Sequence, residues 1–219
     1  MAKGVFITFE GVDGCGKTTQ SKMLYRALPQ SGARVFLTRE PGGTDGANEI
    51  RRLVVTGKPG RWDPMTETLL MFAARRDHVE RFIRPTIAAG KWVLSDRYVD
   101  STVAYQGYGH GIPLPKIQQL HRLSTGNLYP SLTFIFDIDV EKALARTRVR
   151  GGSENRYEVM GLDFHKRLRK GFKEIAHENK ERCVLIDADD KVENIHRKVI
   201  SAINKRLGLK LKPVAVEGM

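Results

Sequence analysis

Short apolar runs alternate with longer amphipathic stretches along the whole chain. "GVFITFE" (4–10), "RVFLTRE" (34–40), "WVLSDR" (92–97), "LTFIFDID" (132–139) and "CVLIDA" (183–188) are short, β-branched and apolar. They read as strands buried on both faces, the pattern of a parallel sheet. Between them lie helix-length segments at about 17–29, 45–56, 65–89, 114–125, 140–150, 161–180 and 191–207. This alternation predicts βαβ units with right-handed crossovers and helices on both faces of an α/β sheet. Ligands of such sheets bind at the carboxyl ends of the strands, so the residues that follow each strand carry the chemistry.

With 219 residues, 41% of them hydrophobic, the chain has enough apolar material for one core. We read 1–209 as a single domain and the aperiodic "KLKPVAVEGM" (210–219) as a loose tail. No apolar run is long enough to cross a bilayer, and "MAKGVFITFE" lacks the features of a signal peptide. Two distant cysteines, Cys15 and Cys183, form no disulfide framework, so the expected location is cytoplasmic, with no membrane partner. The formal net charge of +12 fits either nucleic acid or small phosphorylated ligands.

The first strand runs into Gly11, Val12, Asp13, Gly14, Cys15, Gly16, Lys17 and Thr18, with Thr19 following. This is G-x-x-x-x-G-K-[ST] without a mismatch. Glycines let successive backbone N–H groups converge on one anion, and the next helix adds its positive end. Lys17 is the candidate for the β- and γ-phosphates of ATP, and the Thr18 hydroxyl for Mg²⁺. Cys15 reads first as a small residue that fits; its place near a helix N-terminus also suits thiol acidification and oxidative inhibition.

The third strand ends in Asp96, placed to organise magnesium, followed by Arg97. A water-activating second acid would suit an ATPase; an arginine suits a second phosphate, and so a phosphorylated acceptor. "TREPGGT" (38–44) follows the second strand, with Arg39, Glu40 and Pro41 at a tight turn and Arg51 and Arg52 on the next helix. One of these two arginines is a candidate for the acceptor phosphate.

"FEGVDGCGKTTQ", "TREPGGT", "ETLLMFAARR", "SDRYVDSTVAYQG" and "RTRVRGGSENRYE", in this order, resemble the bacterial thymidylate kinase family over nearly the whole chain. The resemblance implies a three-layer α/β/α P-loop nucleoside monophosphate kinase fold with a five-stranded parallel sheet. It implies ATP-dependent phosphorylation of dTMP to dTDP, for dTTP synthesis, in a homodimer packed through helices that include 65–89. It also implies that Phe72 stacks on thymine and Arg76 bonds a base carbonyl. Spacing alone reads Phe72 as core. By resemblance Arg97 grips the acceptor phosphate, Ser101 and Thr102 lie near the base, and Tyr105 packs by the deoxyribose. Gln106 touches base or phosphate, Asp13 meets the 3′-hydroxyl, and Glu40, Pro41 and Arg51 complete the acceptor side.

In "RTRVRGGSENRYE", Arg146, Arg148 and Arg150 stand at every second position, with Gly151, Gly152 and then Arg156. Adjacent glycines suggest a hinge, and 146–160 reads as a mobile lid. A guanidinium brought to the migrating phosphoryl group is worth a factor of about 10³–10⁵, or ~4–7 kcal/mol of barrier. One branch of the family supplies this arginine from the first loop; here those positions are Gly14 and Cys15. The resemblance is therefore to the type with catalytic arginines in the lid, Arg150 first, then Arg148 and Arg156, with Arg146 beside adenine. Two rivals are a kinase for another nucleoside or nucleotide and a nucleic-acid-stimulated ATPase. The basic residues are scattered and stacking aromatics do not alternate with them, so no nucleic acid partner is expected.

Overall fold

The structure, a computed structural model, describes residues 4–57, 60–150, 156–157 and 160–216, with backbone alone at 149–150. Five strands form one parallel sheet: β1 (Phe6–Gly11), β2 (Val35–Arg39), β3 (Trp92–Asp96), β4 (Leu132–Asp137) and β5 (Cys183–Asp187). Their order is β2-β3-β1-β4-β5. Chain order reverses on either side of β1, where Ile7 registers with Leu94 of β3 and Leu132 of β4. The carboxyl end of β1 is thus the topological switch point, where a crevice opens.

Every residue of β1 is buried, which explains its unbroken apolar run. Fully buried Phe9 stacks on Phe136 at 6.2 Å between centroids and contributes about 1.5–3 kcal/mol by burial alone. On one face α1 (Lys17–Ala27) and α9 (Val192–Leu207) pack together; α8 (Leu162–Glu178) covers β1, β4 and β5. The rest of the helical layer holds α2 (Asp45–Val55), α3 (Pro64–His78), α6 (Leu114–Thr125) and α7 (Val140–Arg150). Helices on both sides of a five-stranded parallel sheet match the expected fold.

Three local expectations differ from the structure. The 65–89 segment is no uniform helix: α3 widens into a π-helical turn, Val79–Ile83, before the short α4 (Arg84–Ala88). Pro85 lacks an N–H and would clash with the carbonyl a turn earlier, so the ladder widens ahead of it. A further helix was missed, α5 (Val99–Thr102), running into a π-helical stretch, Val103–Gly109. It carries "DSTVAYQG", whose glycine and short side chains hide the helical period. The first residues of the expected tail are also packed. Leu211 is buried, its backbone exchanges two bonds with the Asn204 amide, and Lys212 N–H donates to Gln30 Oε1 at 2.9 Å.

Candidate active site

β1 ends in the glycine loop and α1 begins at Lys17, so the loop N–H groups and the helix end open on the same crevice. Two glycines are required by their surroundings. Gly11 has φ 135°, and a Cβ there would stand 2.6 Å from the Phe136 carbonyl oxygen. Gly14 has φ 82°, and its Cβ would meet the Ala143 carbonyl oxygen of α7 at 2.2 Å. An arginine from this loop position is therefore sterically closed. The Lys17 ammonium donates to the Val12 carbonyl at 2.8 Å, curled over the loop.

The loop forms one wall of a cleft of about 900 Å³. Asp13, Gly14, Cys15, Gly16, Lys17, Thr18 and Thr19 line it, while Gly11 and Val12 lie behind. Across it stands Asp96, the last residue of β3, whose carboxylate accepts from the Thr18 hydroxyl. A hydroxyl and a carboxylate in contact beside a phosphate-binding lysine fit a magnesium ion that keeps most of its ligands as water and phosphate. Among the described residues no group of three His, Cys, Asp or Glu stands close enough to hold a metal.

Arg97 leaves the strand with φ 72°, a left-handed conformation that costs a non-glycine residue about 1–2 kcal/mol. The turn aims its guanidinium back across the cleft. Nη2 pairs with Asp13 Oδ1 at 2.5 Å, and Nη1 donates to Ser101 Oγ at 2.8 Å and to the Gly11 carbonyl at 3.2 Å. The Tyr105 hydroxyl donates to Asp13 Oδ2 at 2.8 Å. Burial pushes the Asp13 carboxyl up, but the Arg97 and Lys17 charges outweigh it and hold it well below the usual carboxylate range. Behind them lies Glu10, fully buried, accepting from Tyr98 N–H at 2.7 Å and Ser101 Oγ at 2.5 Å. Its carboxyl is pushed up by burial and by the nearby Asp100. Cys15 is fully buried, and burial raises its thiol despite Lys17. That removes the basis for a reactive or oxidation-sensitive Cys15.

The acceptor wall differs from expectation by one residue. Phe72 and Arg76 do not line the cleft; Met71 and Arg75 do. Phe72 is 3% exposed and packs in a core with Phe6, Val79 and Tyr98. Arg76 points outward, 56% exposed, to Glu80 and the Ser124 carbonyl. One residue along a helix turns the side chain by about 100°, so the right spacing in the wrong phase selects the opposite faces. Arg75 is buried and donates Nε to Glu40 Oε2 at 2.7 Å and Nη2 to Thr102 Oγ1 at 3.0 Å. Its guanidinium lies 4.9 Å over the Phe72 ring, and its Nη1 has no hydrogen-bond partner among the described residues. Glu40 also meets His78 Nδ1 at 3.1 Å; burial raises its carboxyl, and Arg75 and His78 together bring it below normal.

Glu40, Pro41, Arg51, Ser101, Thr102, Tyr105 and Gln106, the other expected acceptor-side residues, all line the cleft. Arg51 Nη1 donates to the Pro41 carbonyl at 2.7 Å. Arg146 lines the far end, with Gln20, Asp190, Val192 and Ile195, which single-residue motifs did not mark. Gln20 Nε2 donates to the Val192 carbonyl at 3.0 Å and ties the start of α9 to α1. Arg148 is exposed on α7 and outside the cleft, and the Arg150 side chain lies outside the described residues, as do Gly151 and Gly152. Arg156 is 6% exposed, off the cleft, paired with Glu67 at 2.6 Å. Arg156, expected near the migrating phosphate, here has its charge matched by a buried carboxylate.

A family model described as thymidylate kinase matches residues 9–199. A thymidylate kinase of Caulobacter vibrioides is 48% identical over 95% of this chain and 100% of its own length. One of Dinoroseobacter shibae is 49% identical over 85% of this chain and 89% of its own. The crystal structure of thymidylate kinase from Ehrlichia chaffeensis superposes with a TM-score of 0.74, at 37% identity, over 92% of this chain and 99% of that one. A chain matched by the model and by these relatives over most of its length belongs to the thymidylate kinase family.

Proposed function

We propose that the protein phosphorylates dTMP to dTDP, with ATP as donor and Mg²⁺ as the accompanying ion. The observation that carries this reading is a single cleft with a phosphate loop on one wall and Arg97, Tyr105 and Arg75 on the other. A phosphorylated acceptor facing a triphosphate needs a cation between them and a wall for its base, and Arg97 and the Met71–Arg75 face supply those.

The acceptor's phosphate oxygen attacks the γ-phosphorus directly, with no covalent enzyme intermediate. Catalysis is then positioning and electrostatic stabilisation. Lys17 follows the β- and γ-phosphates. Arg97, held by Asp13 and Ser101, grips the acceptor phosphate. Met71 lies against the thymine face, and Arg75 meets its edge, taking the roles the resemblance gave to Phe72 and Arg76. Thr18 and Asp96 would hold the magnesium ion, which would supply neutralisation of the phosphate charge. The 146–160 segment acts as the lid, with Arg150 and Arg148 its candidates for the phosphoryl group and Arg146 beside adenine. Exposed Leu53, Leu69 and Leu123 on α2, α3 and α6 support a homodimer through those helices. Two free cysteines support a cytoplasmic setting.

The test is ADP release with Mg-ATP and a panel of dTMP, dUMP, dCMP, dGMP and AMP. dTMP should lead, and dUMP should trail by the ~1–3 kcal/mol that one methyl is worth in an apolar pocket. Equal rates with dTMP and AMP would reject the acceptor assignment.

A further inference from the structure

Glu67 lies in the first turn of α3, where a carboxylate normally points to water and complements the helix dipole. Here it is 1% exposed. Three side chains from two other segments converge on it. Arg156 Nη2 stands 2.6 Å from Oε2, while the Tyr157 hydroxyl at 2.5 Å and Gln106 Nε2 at 2.9 Å donate to Oε1. Arg156 Nη1 donates onward to the Val54 carbonyl, at the end of α2, at 2.8 Å. Tyr157 reaches the cleft wall and sets its ring edge-on to Tyr105 at 5.1 Å. The Tyr105 hydroxyl in turn meets Asp13.

We infer that Glu67 is a positioning residue: it tethers the chain returning from the arginine-rich segment, through Arg156 and Tyr157, to the acceptor wall. The inference rests on the proposed function and deepens it. A buried ion pair gains little over an apolar pair of the same shape, so its presence here is weak evidence for stability as its purpose. What it supplies is a fixed place. Held by Glu67, Arg156 and Tyr157 keep a fixed place relative to Gln106 and Tyr105. Arg156 is then a tether, with its charge matched by Glu67 and not by a phosphate.

The experiment uses the full chain with Glu67→Gln and Arg156→Gln, singly and together. It reads dTDP formation, ADP release without acceptor, and the melting temperature. Each single change should lower kcat about tenfold, equivalent to ~1.4 kcal/mol, with the ATP KM nearly held. The double variant should be no worse than either single, because both break one contact. The share of ADP released without acceptor should rise, because a displaced Tyr157 opens the acceptor wall to water. Arg156→Gln falling a hundredfold below Glu67→Gln would overturn the inference and return Arg156 to the phosphates. So would multiplicative losses in the double variant, or a lower melting temperature with kcat and the ADP share unchanged. If Glu67→Gln does not fold, Tyr157→Phe removes one bond to Glu67 and keeps the ring; it should raise the same ADP share, and an unchanged share would reject the tether. Absence of dTDP from the unaltered protein would instead reject the function reading.

Discussion

The Arg97 guanidinium pairs with the Asp13 carboxylate at 2.5 Å, joining the turn after β3 to the phosphate loop. The pair fixes a cation that would otherwise swing on a long side chain, at the place proposed above for the acceptor phosphate.

Asp13→Asn keeps the shape and removes the charge that holds Arg97. The expected result is at least a tenfold loss of kcat/KM for dTMP, or ~1.4 kcal/mol, with ATP binding little changed. Steady-state kinetics with each substrate varied in turn checks it. A wild-type kcat/KM would mean that Ser101 and the Gly11 carbonyl suffice to place Arg97.

The phase of α3 gives a four-residue test. Arg76→Ala removes an exposed side chain and should change stability by no more than about 0.5 kcal/mol, leaving the dTMP KM as it was. Arg75→Ala should raise that KM steeply. Met71→Ala should raise it several-fold with kcat nearly held, while Phe72→Ala should cost about 3–5 kcal/mol of stability as a buried aromatic. If Arg76→Ala is the variant with the raised KM, the cleft face of α3 is wrong.

Both thiols should resist alkylation. Burial raises Cys15, and Cys183 is pushed up to about 12 by burial and by Asp100, so neither offers a thiolate at pH 8. Iodoacetamide followed by mass spectrometry should find both unmodified in the native protein and both modified in urea. Rapid labelling of native Cys15 would contradict its burial.

His196 should make the fold acid-sensitive. Its ring is fully buried, neither nitrogen has a partner among the described residues, and burial brings it down to about 4. His121, also buried, comes down to about 4. Below the ordinary histidine value of 6.5 the unfolded chain binds more protons at these two rings than the folded one, so their contribution to stability falls as pH drops from 6.5 through about 4, while raised Glu10 opposes one of the two. Asp13 adds to this loss only below 3.8, its ordinary value, as its depressed carboxyl is protonated. Urea midpoints across this range should show the decline, and His196→Leu should flatten it. An unchanged slope in the variant would assign the acid sensitivity elsewhere.

Much of the fold was legible because β1, β3 and β4 are apolar on both faces, which leaves a parallel sheet as the simplest reading. The phosphate loop was legible because its glycines, Lys17 and Thr18 are adjacent in sequence. Met71 and Arg75 were not, since Phe72 and Arg76 keep the same four-residue spacing and hydropathy cannot say which pair faces the cleft. Glu67 was invisible for a different reason. Its partners lie 39 to 90 positions away, and a glutamate near a helix start looks like any other first-turn acid. The helix through Val99–Gly109 lacked a period because its job is to present Ser101, Thr102, Tyr105 and Gln106 on one wall.

Gly14 touches α7 with no room for even one carbon between them. The contact bears on descent as well as on packing. A single substitution of Gly14 by arginine is closed to a lineage with this arrangement, because the first added atom strikes the Ala143 carbonyl. Helix α7 would have to withdraw beforehand, and withdrawal would shift Arg146 in the same step. An arginine at position 14 is therefore separated from this arrangement by a backbone rearrangement as well as by a codon.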